Sequence, residues 1–199
     1  GCCSPATSWH PYIADKGAAG VPLDALRVVP DGHPLRIAGE SMENALVVPL
    51  IRADGTIASL QFIVPPDVAT RLKARGKPGK LNLPGHPMEG WHTVGDRVPG
   101  GIIYLCEGIA TAWACWQAKG HAAVACFGWS RVHAVAAELR QRDASARLVL
   151  VPDVGKESAA EAIARNVGAA VACMPQGNAP NFDANDYALC EGYDRLADL

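Results

Sequence analysis

The chain has no large excess of charge of either sign. Its 199 residues include 18 Lys and Arg against 20 Asp and Glu, which gives a formal net charge of −2. Attraction to nucleic-acid phosphates depends on where cations cluster rather than on their total, so such a partner would need a local basic patch. A disordered chain is also excluded, because 49% of the residues are hydrophobic and only 19% are charged.

Paired cysteines and long apolar runs are missing as well. The seven cysteines show no Cys-x-x-Cys spacing, so we interpret them as reduced thiols and expect a cytoplasmic protein without a structural zinc site. No stretch approaches the roughly 18 apolar residues of a membrane span, so no membrane partner is expected. The G-x-x-x-x-G-K-[ST] spacing of a P-loop is also missing, which excludes an ATP-driven motor within these residues.

From Gly101 onward, apolar runs alternate with segments of helical period. The predicted strands cover residues 101–106, 121–127, 147–152 and 169–174, and the predicted helices cover 109–119, a segment capped by Ser130, and 156–166. Strands that are apolar throughout are typical of a parallel sheet covered by helices on both faces. We therefore predict an α/β fold with a mostly parallel four-stranded sheet.

The first 98 residues have a different pattern. Two apolar runs, 45–51 and 56–63, flank Asp54-Gly55, and Asp-Gly between such runs is a strong hairpin signal. The turn-forming segment 95–101 has the composition of a linker. The sequence thus predicts a small β-rich subdomain over residues 1–98 and an α/β domain over residues 99–199.

Two acids follow predicted strands of the second domain directly. Glu107 follows the first strand and Asp153 the third. In the strand order 2-1-3-4 these strands are neighbours, and ligands of open parallel sheets bind at the carboxyl ends of such strands. Two carboxylates together with substrate phosphates suffice to hold Mg²⁺. The alternative is that each acid only caps the helix that follows it.

The hexapeptide from Glu107 to Ala112, Glu-Gly-Ile-Ala-Thr-Ala, resembles the Glu-Gly-Tyr-Ala-Thr-Ala motif of conjugative-plasmid and phage-type DNA primases. Gly108 and Thr111 match the motif, and Ile109 replaces its tyrosine. The segment Asp183-Ala-Asn-Asp-Tyr187 resembles a second stretch of that family through Asn185 and Asp186. The stretches 10–17 and 80–85 resemble it more loosely, so the resemblance extends over most of the chain.

The resemblance implies a Toprim catalytic domain, in which a Glu after the first strand and an Asp-x-Asp after the third form the metal and acid/base site. Glu107 matches the glutamate and Asp153 the first aspartate, whereas Gly155 stands at the second aspartate position. Glu157 or Asp186 is the expected substitute ligand. The implied cofactor is Mg²⁺ or Mn²⁺, and Gly155→Asp is expected to strengthen metal binding unless Gly155 has a positive φ.

A basic segment lies in the first domain. Within residues 71–80 there are five cations and no acid: Arg71, Lys73, Arg75, Lys77 and Lys80. Such a segment can bind the backbone of single-stranded DNA, and a solvated loop explains it equally well.

The predicted function is a DNA primase core that synthesises RNA primers on a single-stranded DNA template from nucleoside triphosphates, with a replicative helicase as a further candidate partner. Two alternatives remain open. One is a degenerate Toprim module that binds nucleic acid or a protein without catalysis, and the other is a Toprim nuclease.

Overall fold

The Asp54-Gly55 turn joins two antiparallel strands in the computed structural model, which describes residues 2–199. These strands, Leu46–Ile51 and Ile57–Ile63, confirm the predicted hairpin. Gly55 has a φ of 87°, a conformation that favours glycine. The Asp54 carboxylate accepts the hydroxyl and the backbone N–H of Thr56, which lowers the pKa of Asp54.

The first compact unit of the chain ends at Gly90. Its elements are β1 (Ser4–Pro5), α1 (Pro11–Asp15), β2 (Arg27–Val28), β3 (Arg36–Ile37), β4 (Glu40–Ser41), β5 (Leu46–Ile51), β6 (Ile57–Ile63), α2 (Pro66–Ala74) and β7 (Lys80–Asn82). An antiparallel sheet has the order β1-β2-β5-β6-β7, and β3 pairs with β4. Phe62 of β6 and Leu72 of α2 are buried in one hydrophobic core.

The second compact unit spans Trp91–Leu199. Its elements are β8 (His92–Val94), β9 (Ile102–Cys106), α3 (Ile109–Lys119), β10 (Ala122–Ala125), α4 (Trp129–Arg142), β11 (Arg147–Val151), α5 (Glu157–Val167), β12 (Ala170–Val171), α6 (Ala184–Glu191) and α7 (Tyr193–Ala197). They form a five-stranded sheet of order β12-β11-β9-β10-β8. The pairs β12·β11, β11·β9 and β9·β10 are parallel.

This sheet confirms a mixed α/β architecture but has one strand more than predicted. The additional strand is β8, which pairs antiparallel with β10 from Ala125↔His92 to Ala123↔Val94. The predicted boundary leaves residues 92–94 in the first domain, because three residues are too few to show an apolar period. The compact units consequently divide between Gly90 and Trp91, and segment 95–101 lies inside the second unit. That each unit folds by itself stays a prediction.

The helices of the second unit form two groups. The chain passes from β9 through α3 to β10 on one side, and then through α4 and α5 to β11 and β12 on the other side. Because such crossovers are right-handed, α3 lies on one face of the sheet, and α4 and α5 lie on the other. In agreement, α4 packs against α5, and α3 packs against α6 and α7.

Several boundaries differ from the prediction, among them the second strand, which covers Ala122–Ala125 rather than 121–127. The last strand is limited to Ala170–Val171, followed by one more backbone hydrogen bond to β11, from the Ala172 N–H to the Leu150 carbonyl at 2.9 Å. Helix α4 begins at Trp129 with Gly128, not Ser130, as its N-cap, because Gly128 has a φ of 131° that interrupts the extended chain there.

The seven cysteines, all within residues 2–199, are free thiols, as expected. None of the helices in the described part of the chain is long and apolar enough to cross a membrane.

Candidate active site

Glu107 lies one residue beyond the end of β9, just before the helix that carries the rest of the hexapeptide. The backbone around it is fixed: the Cys126 N–H donates to the Cys106 carbonyl at 2.9 Å, and the Gly128 N–H donates to the Glu107 carbonyl at 3.2 Å. Gly108 is the N-cap of α3. The half-buried Glu107 side chain therefore starts from a rigid strand–helix junction.

Asp153 lies two residues beyond the end of β11. Cys106 and Val151 are the last paired residues of the neighbouring strands β9 and β11, so both acids follow the same end of one parallel pair. Asp153 is half-buried, and its Oδ1 is shielded from solvent. The carbonyl of Asp153 accepts the Lys156 N–H at 3.0 Å, which closes a tight turn. The structure thus places the Glu107 and Asp153 loops side by side at the carboxyl edge of the sheet.

The Glu157 carboxylate, expected as a substitute metal ligand, is instead engaged in a local hydrogen bond at the start of α5. Its two carboxylate oxygens accept the Gly155 N–H at 3.0 and 2.9 Å. This bond and the Glu157 backbone N–H lower the pKa of Glu157. Gly155, the position that matches the second aspartate of the family, has a φ of 94° and is exposed. A side chain there would be strained even though the space around it is open.

Asp186 also has a local partner. It forms a capping box with Asp183 at the start of α6: the Asp183 side chain accepts the Asp186 N–H at 2.9 Å, and Asp186 accepts the Asp183 N–H at 3.3 Å. Asn185, one residue earlier, is completely buried. The segment 183–187, which resembles the second stretch of the primase family, therefore supplies the N-terminal cap of α6 and the buried side-chain amide of Asn185.

Asp183 was not among the site residues that the sequence predicted. Its Oδ2 accepts a hydrogen bond from the hydroxyl of Thr111 at 3.0 Å, and Thr111 is only 2% exposed. Asp183 and Thr111 are 72 residues apart, so no local pattern relates them. The only signal was that each belongs to a stretch with family resemblance.

The thiols beneath the site are inert. Burial raises the pKa of Cys126 to about 12, and burial together with neighbouring Cys115 raises the pKa of Cys106 well above its usual value. Thiols in this state are neither nucleophiles nor metal ligands. Any chemistry at this edge of the sheet therefore does not use these two thiols.

A metal at this site would depend on few protein ligands. Among residues 2–199, no group of three or more His, Cys, Asp and Glu side chains is arranged to hold a metal ion. With Glu157 bound to the Gly155 N–H and Asp186 engaged in a capping box, Glu107 and Asp153 remain. Two carboxylates fit Mg²⁺ or Mn²⁺ only if water and substrate phosphates complete the coordination.

The five cations of the basic segment differ in whether they form ion pairs with acidic side chains. Arg71 and Arg75 both bind the Glu40 carboxylate, at 3.2 and 2.5 Å, although Glu40 is distant in sequence. Arg71 also binds Asp67 at 2.9 Å. Lys73 and Lys77, by contrast, make no ion pair with any residue between 2 and 199.

Lys80 belongs to a groove of the first unit. The groove has a volume of about 1220 Å³, and Arg71 and Lys80 line it together with Tyr12 and several prolines. The Lys80 ammonium lies 5.9 Å from the centre of the Tyr12 ring, within cation–π range. Acids line it too, among them Asp15 and Glu43, so the groove is not uniformly basic.

No protein-family model and no curated protein matches the chain. Solved structures do match. The DnaG primase catalytic domain bound to single-stranded DNA has a TM-score of 0.62 at 15% identity, over 96% of this chain and 69% of that one. The Aquifex aeolicus primase, with zinc-binding and RNA polymerase domains, has a TM-score of 0.59 at 14% identity, over 96% of this chain and 57% of that one.

The primase fragment of the bacteriophage T7 primase-helicase protein gives a TM-score of 0.52 at 16% identity, over 76% of this chain and 60% of that one. This chain therefore has the fold of primase catalytic domains. It spans little more than half the length of two of these three primase chains. Because the identities are low, the likeness concerns the fold alone.

Proposed function

We propose that this chain is the catalytic core of a DNA primase of the plasmid or phage type, with a Toprim-like second unit. The reaction is the divalent-metal-dependent synthesis of short RNA primers on single-stranded DNA. The observation that supports it most is the position of Glu107 and Asp153, just beyond the last paired residues of two adjacent parallel strands. The shared fold with primase domains supports it further.

Each acid has a distinct role in this proposal. Asp153 is the principal metal ligand, and its buried Oδ1 is shielded from competing water. Glu107 is a second ligand or accepts the proton of the attacking 3′-hydroxyl. That hydroxyl oxygen forms a bond to the α-phosphorus of a nucleoside triphosphate, and pyrophosphate leaves. A bound Mg²⁺ or Mn²⁺ would neutralise developing charge on the phosphate oxygens.

Template binding belongs to the first unit in this proposal. Lys73 and Lys77 have no acidic partner within the described residues and are available for phosphates. Arg71, Arg75 and Lys80 lie in the same segment and would add contacts. One solved primase of this fold is bound to single-stranded DNA. A cytoplasmic location, nucleoside triphosphates as substrates and a replicative helicase as partner complete the proposal.

A second candidate function is nucleic-acid binding without catalysis. Two observations favour it: Gly155 offers no second carboxylate, and the part of the chain described here contains no cluster of three metal-ligand side chains. In this alternative the two acids only stabilise the starts of α3 and α5.

One assay separates these functions. The full chain is incubated with single-stranded DNA, labelled ribonucleotides and Mg²⁺ or Mn²⁺, beside Glu107→Gln and Asp153→Asn. Extension that both variants lose supports the primase. Cleavage that both variants lose indicates a Toprim nuclease. Retained DNA binding with neither product supports the binding module and overturns the primase proposal.

A further inference from the structure

The hydrogen bond between Thr111 and Asp183 connects two parts of the candidate active site. Thr111 lies in the first turn of α3, four residues after Glu107, and its hydroxyl donates to Asp183 Oδ2 at 3.0 Å. At 2% exposure the hydroxyl has little access to solvent. A buried hydroxyl is costly to leave without a partner, so this bond is a strong constraint on both side chains.

The second oxygen of Asp183 is fixed as well. Oδ1 accepts the Asp186 N–H at 2.9 Å, in the capping box that begins α6. A carboxylate held through both oxygens cannot rotate without losing one of the two bonds. Asp183 therefore connects the first turn of α3 rigidly to the first turn of α6.

The residues just before Asp183 hold the Asp153 loop. The Val154 N–H donates to the Phe182 carbonyl at 3.0 Å, and the Asn181 N–H donates to the Val154 carbonyl at 2.9 Å. Both backbone groups of Val154, the neighbour of Asp153, are thus bound to segment 181–182. This pairing lies beyond the β9·β11 ladder, which ends at Cys106↔Val151.

We propose that Thr111 and Asp183 form a clamp that sets the distance between Glu107 and Asp153. The strand ladder aligns β9 and β11 but stops before either acid. The connection beyond the ladder runs from Thr111 in α3, the helix that follows Glu107, to Asp183. It continues along the chain to Phe182, whose carbonyl accepts the N–H of Val154, the neighbour of Asp153. Thr111 and Asp183 are positioning residues, and the inference rests on the proposed function only in assigning chemistry to the two acids.

The clamp explains a residue type that packing alone does not require. Valine has nearly the shape of threonine and would fill the same buried position in α3 without a polar group. Loss of a hydrogen bond that supports metal ligands typically weakens metal binding by about 10–100-fold. A site with few protein ligands has few other contacts to compensate when one ligand is displaced. The two acids therefore depend on the clamp more than they would in a site with a full ligand set.

Three variants of the full chain test the inference. Thr111→Val removes the hydroxyl, Thr111→Ser keeps it, and Asp183→Ser keeps an N-cap for α6 but is too short to reach Thr111. Thr93→Val, on β8, is a matched control for the loss of a hydroxyl. If Thr111→Val fails to fold, Asp183→Ser tests the same bond.

The first measurement does not depend on metal. Hydrogen exchange followed by mass spectrometry should show faster exchange in segments 153–155 and 181–186 for Thr111→Val and Asp183→Ser than for wild type. The strands β9 and β11 should keep their protection, and Thr111→Ser and Thr93→Val should behave as wild type. Unchanged exchange at Val154 in both clamp variants would overturn the clamp.

The second measurement is Mn²⁺ affinity by isothermal titration. We expect a loss of about tenfold in Thr111→Val and Asp183→Ser and a value near wild type in Thr111→Ser. Wild-type affinity in Thr111→Val would overturn the positioning role. If wild type binds no Mn²⁺ but the clamp variants exchange faster, the proposed function fails while the clamp stands.

Discussion

Gly155 donates its backbone N–H to both carboxylate oxygens of Glu157, at 3.0 and 2.9 Å. This bond ties the turn after Asp153 to the first residue of α5. It also engages the carboxylate that was expected to replace the missing second aspartate. The turn is thus built around a glycine with a φ of 94°, and an aspartate at this position would be strained.

Substitution of Gly155 should therefore harm the turn. We expect Gly155→Ala and Gly155→Asp each to lower the free energy of unfolding by about 1–3 kcal/mol, because L side chains rarely adopt this backbone conformation. Urea denaturation measures the loss. Gly155→Asp should bind Mn²⁺ no better than Gly155→Ala. Tighter binding by the aspartate variant alone would show that the turn relaxes and that charge outweighs strain.

The two acids should make the protein's stability depend on metal. At a Mn²⁺ concentration about 100 times the Kd, binding to the folded state adds about 2.7 kcal/mol. For a chain of this size the Tm should rise by about 5–10 °C. Glu107→Gln and Asp153→Asn should each remove that rise, as differential scanning fluorimetry would show. Glu191→Gln, an exposed acid of α6, is the control and should keep it.

The elements that the sequence predicted best are those with a local signal. Strand β9 is an unbroken apolar run, and α3 ends at Gly120 in a left-handed conformation. Asp54-Gly55 is a turn-forming pair between two apolar runs. The strand neighbours β9 and β11 followed from the order expected of such folds. Glu107 and Asp153 were predicted as site residues because each follows a predicted strand of this kind.

The features that the sequence did not predict depend on long-range contacts. Strand β8 has only three residues and is defined by its partner β10. Glu40 reaches Arg75 across 35 residues, so a segment without acids in sequence acquires one in the fold. Asp183 meets Thr111 in the same way. Hydrophobic periodicity and helix caps depend on residues within a few positions of one another in sequence. They therefore give no information on contacts between segments that are distant in sequence.

Single-stranded DNA binding should depend unequally on the basic segment. Lys73→Gln and Lys77→Gln should each reduce the slope of log affinity against log salt by about 0.7, the value per phosphate contact of a single strand. Arg75→Gln should have a smaller effect, because Glu40 already neutralises that guanidinium. Fluorescence anisotropy over a salt series measures the slopes.

The same series includes Glu40→Gln, which removes the acid shared by Arg71 and Arg75. This variant should bind DNA more tightly and with a steeper slope than wild type. Arg165→Gln, on the second unit, is a control for the loss of one surface cation. Equal slopes for wild type and both lysine variants would exclude the segment from the binding surface.

Asp143 should make the second unit sensitive to acid. Its carboxylate accepts the Ser145 hydroxyl and the backbone N–H groups of Gly100, Ser145 and Ala146, and these bonds lower the pKa of Asp143. A lowered folded pKa stabilises the protein above the unfolded value of about 3.9, and this stabilisation disappears as the pH falls through the folded pKa.

Asp143→Asn should accordingly melt below wild type at about pH 7, and the gap should narrow as the pH falls below about 3.9, the ordinary pKa of an aspartate carboxyl, toward the lowered folded pKa. Circular dichroism melting curves across this range measure the gap. Asp198→Asn, near the C-terminus, is the control for the loss of one exposed carboxylate. A gap that stays constant down to the lowest pH would mean that the Asp143 contacts do not depend on its charge.

Limited proteolysis should cut the chain before β8 rather than after it. The linker composition of residues 95–101 would favour cleavage there, but this segment is held within the second unit. A Cβ at Gly95 would clash with the Trp116 indole, and the Gly100 N–H binds Asp143 at 2.8 Å. Residues 84–87 and Glu89, in contrast, are exposed and precede the division at Gly90.

Glutamyl endopeptidase should therefore cleave after Glu89 and leave a stable fragment that begins at Gly90 and keeps β8. Glu89→Gln removes that cleavage site and should delay the appearance of the fragment. Glu138→Gln, on α4, is the matched control. The fragment should melt cooperatively by itself, because β8 completes the edge of its sheet beside β10. First cleavage within 95–101 by a protease of broad specificity would show that β8 detaches from β10 and that the linker lies where composition placed it.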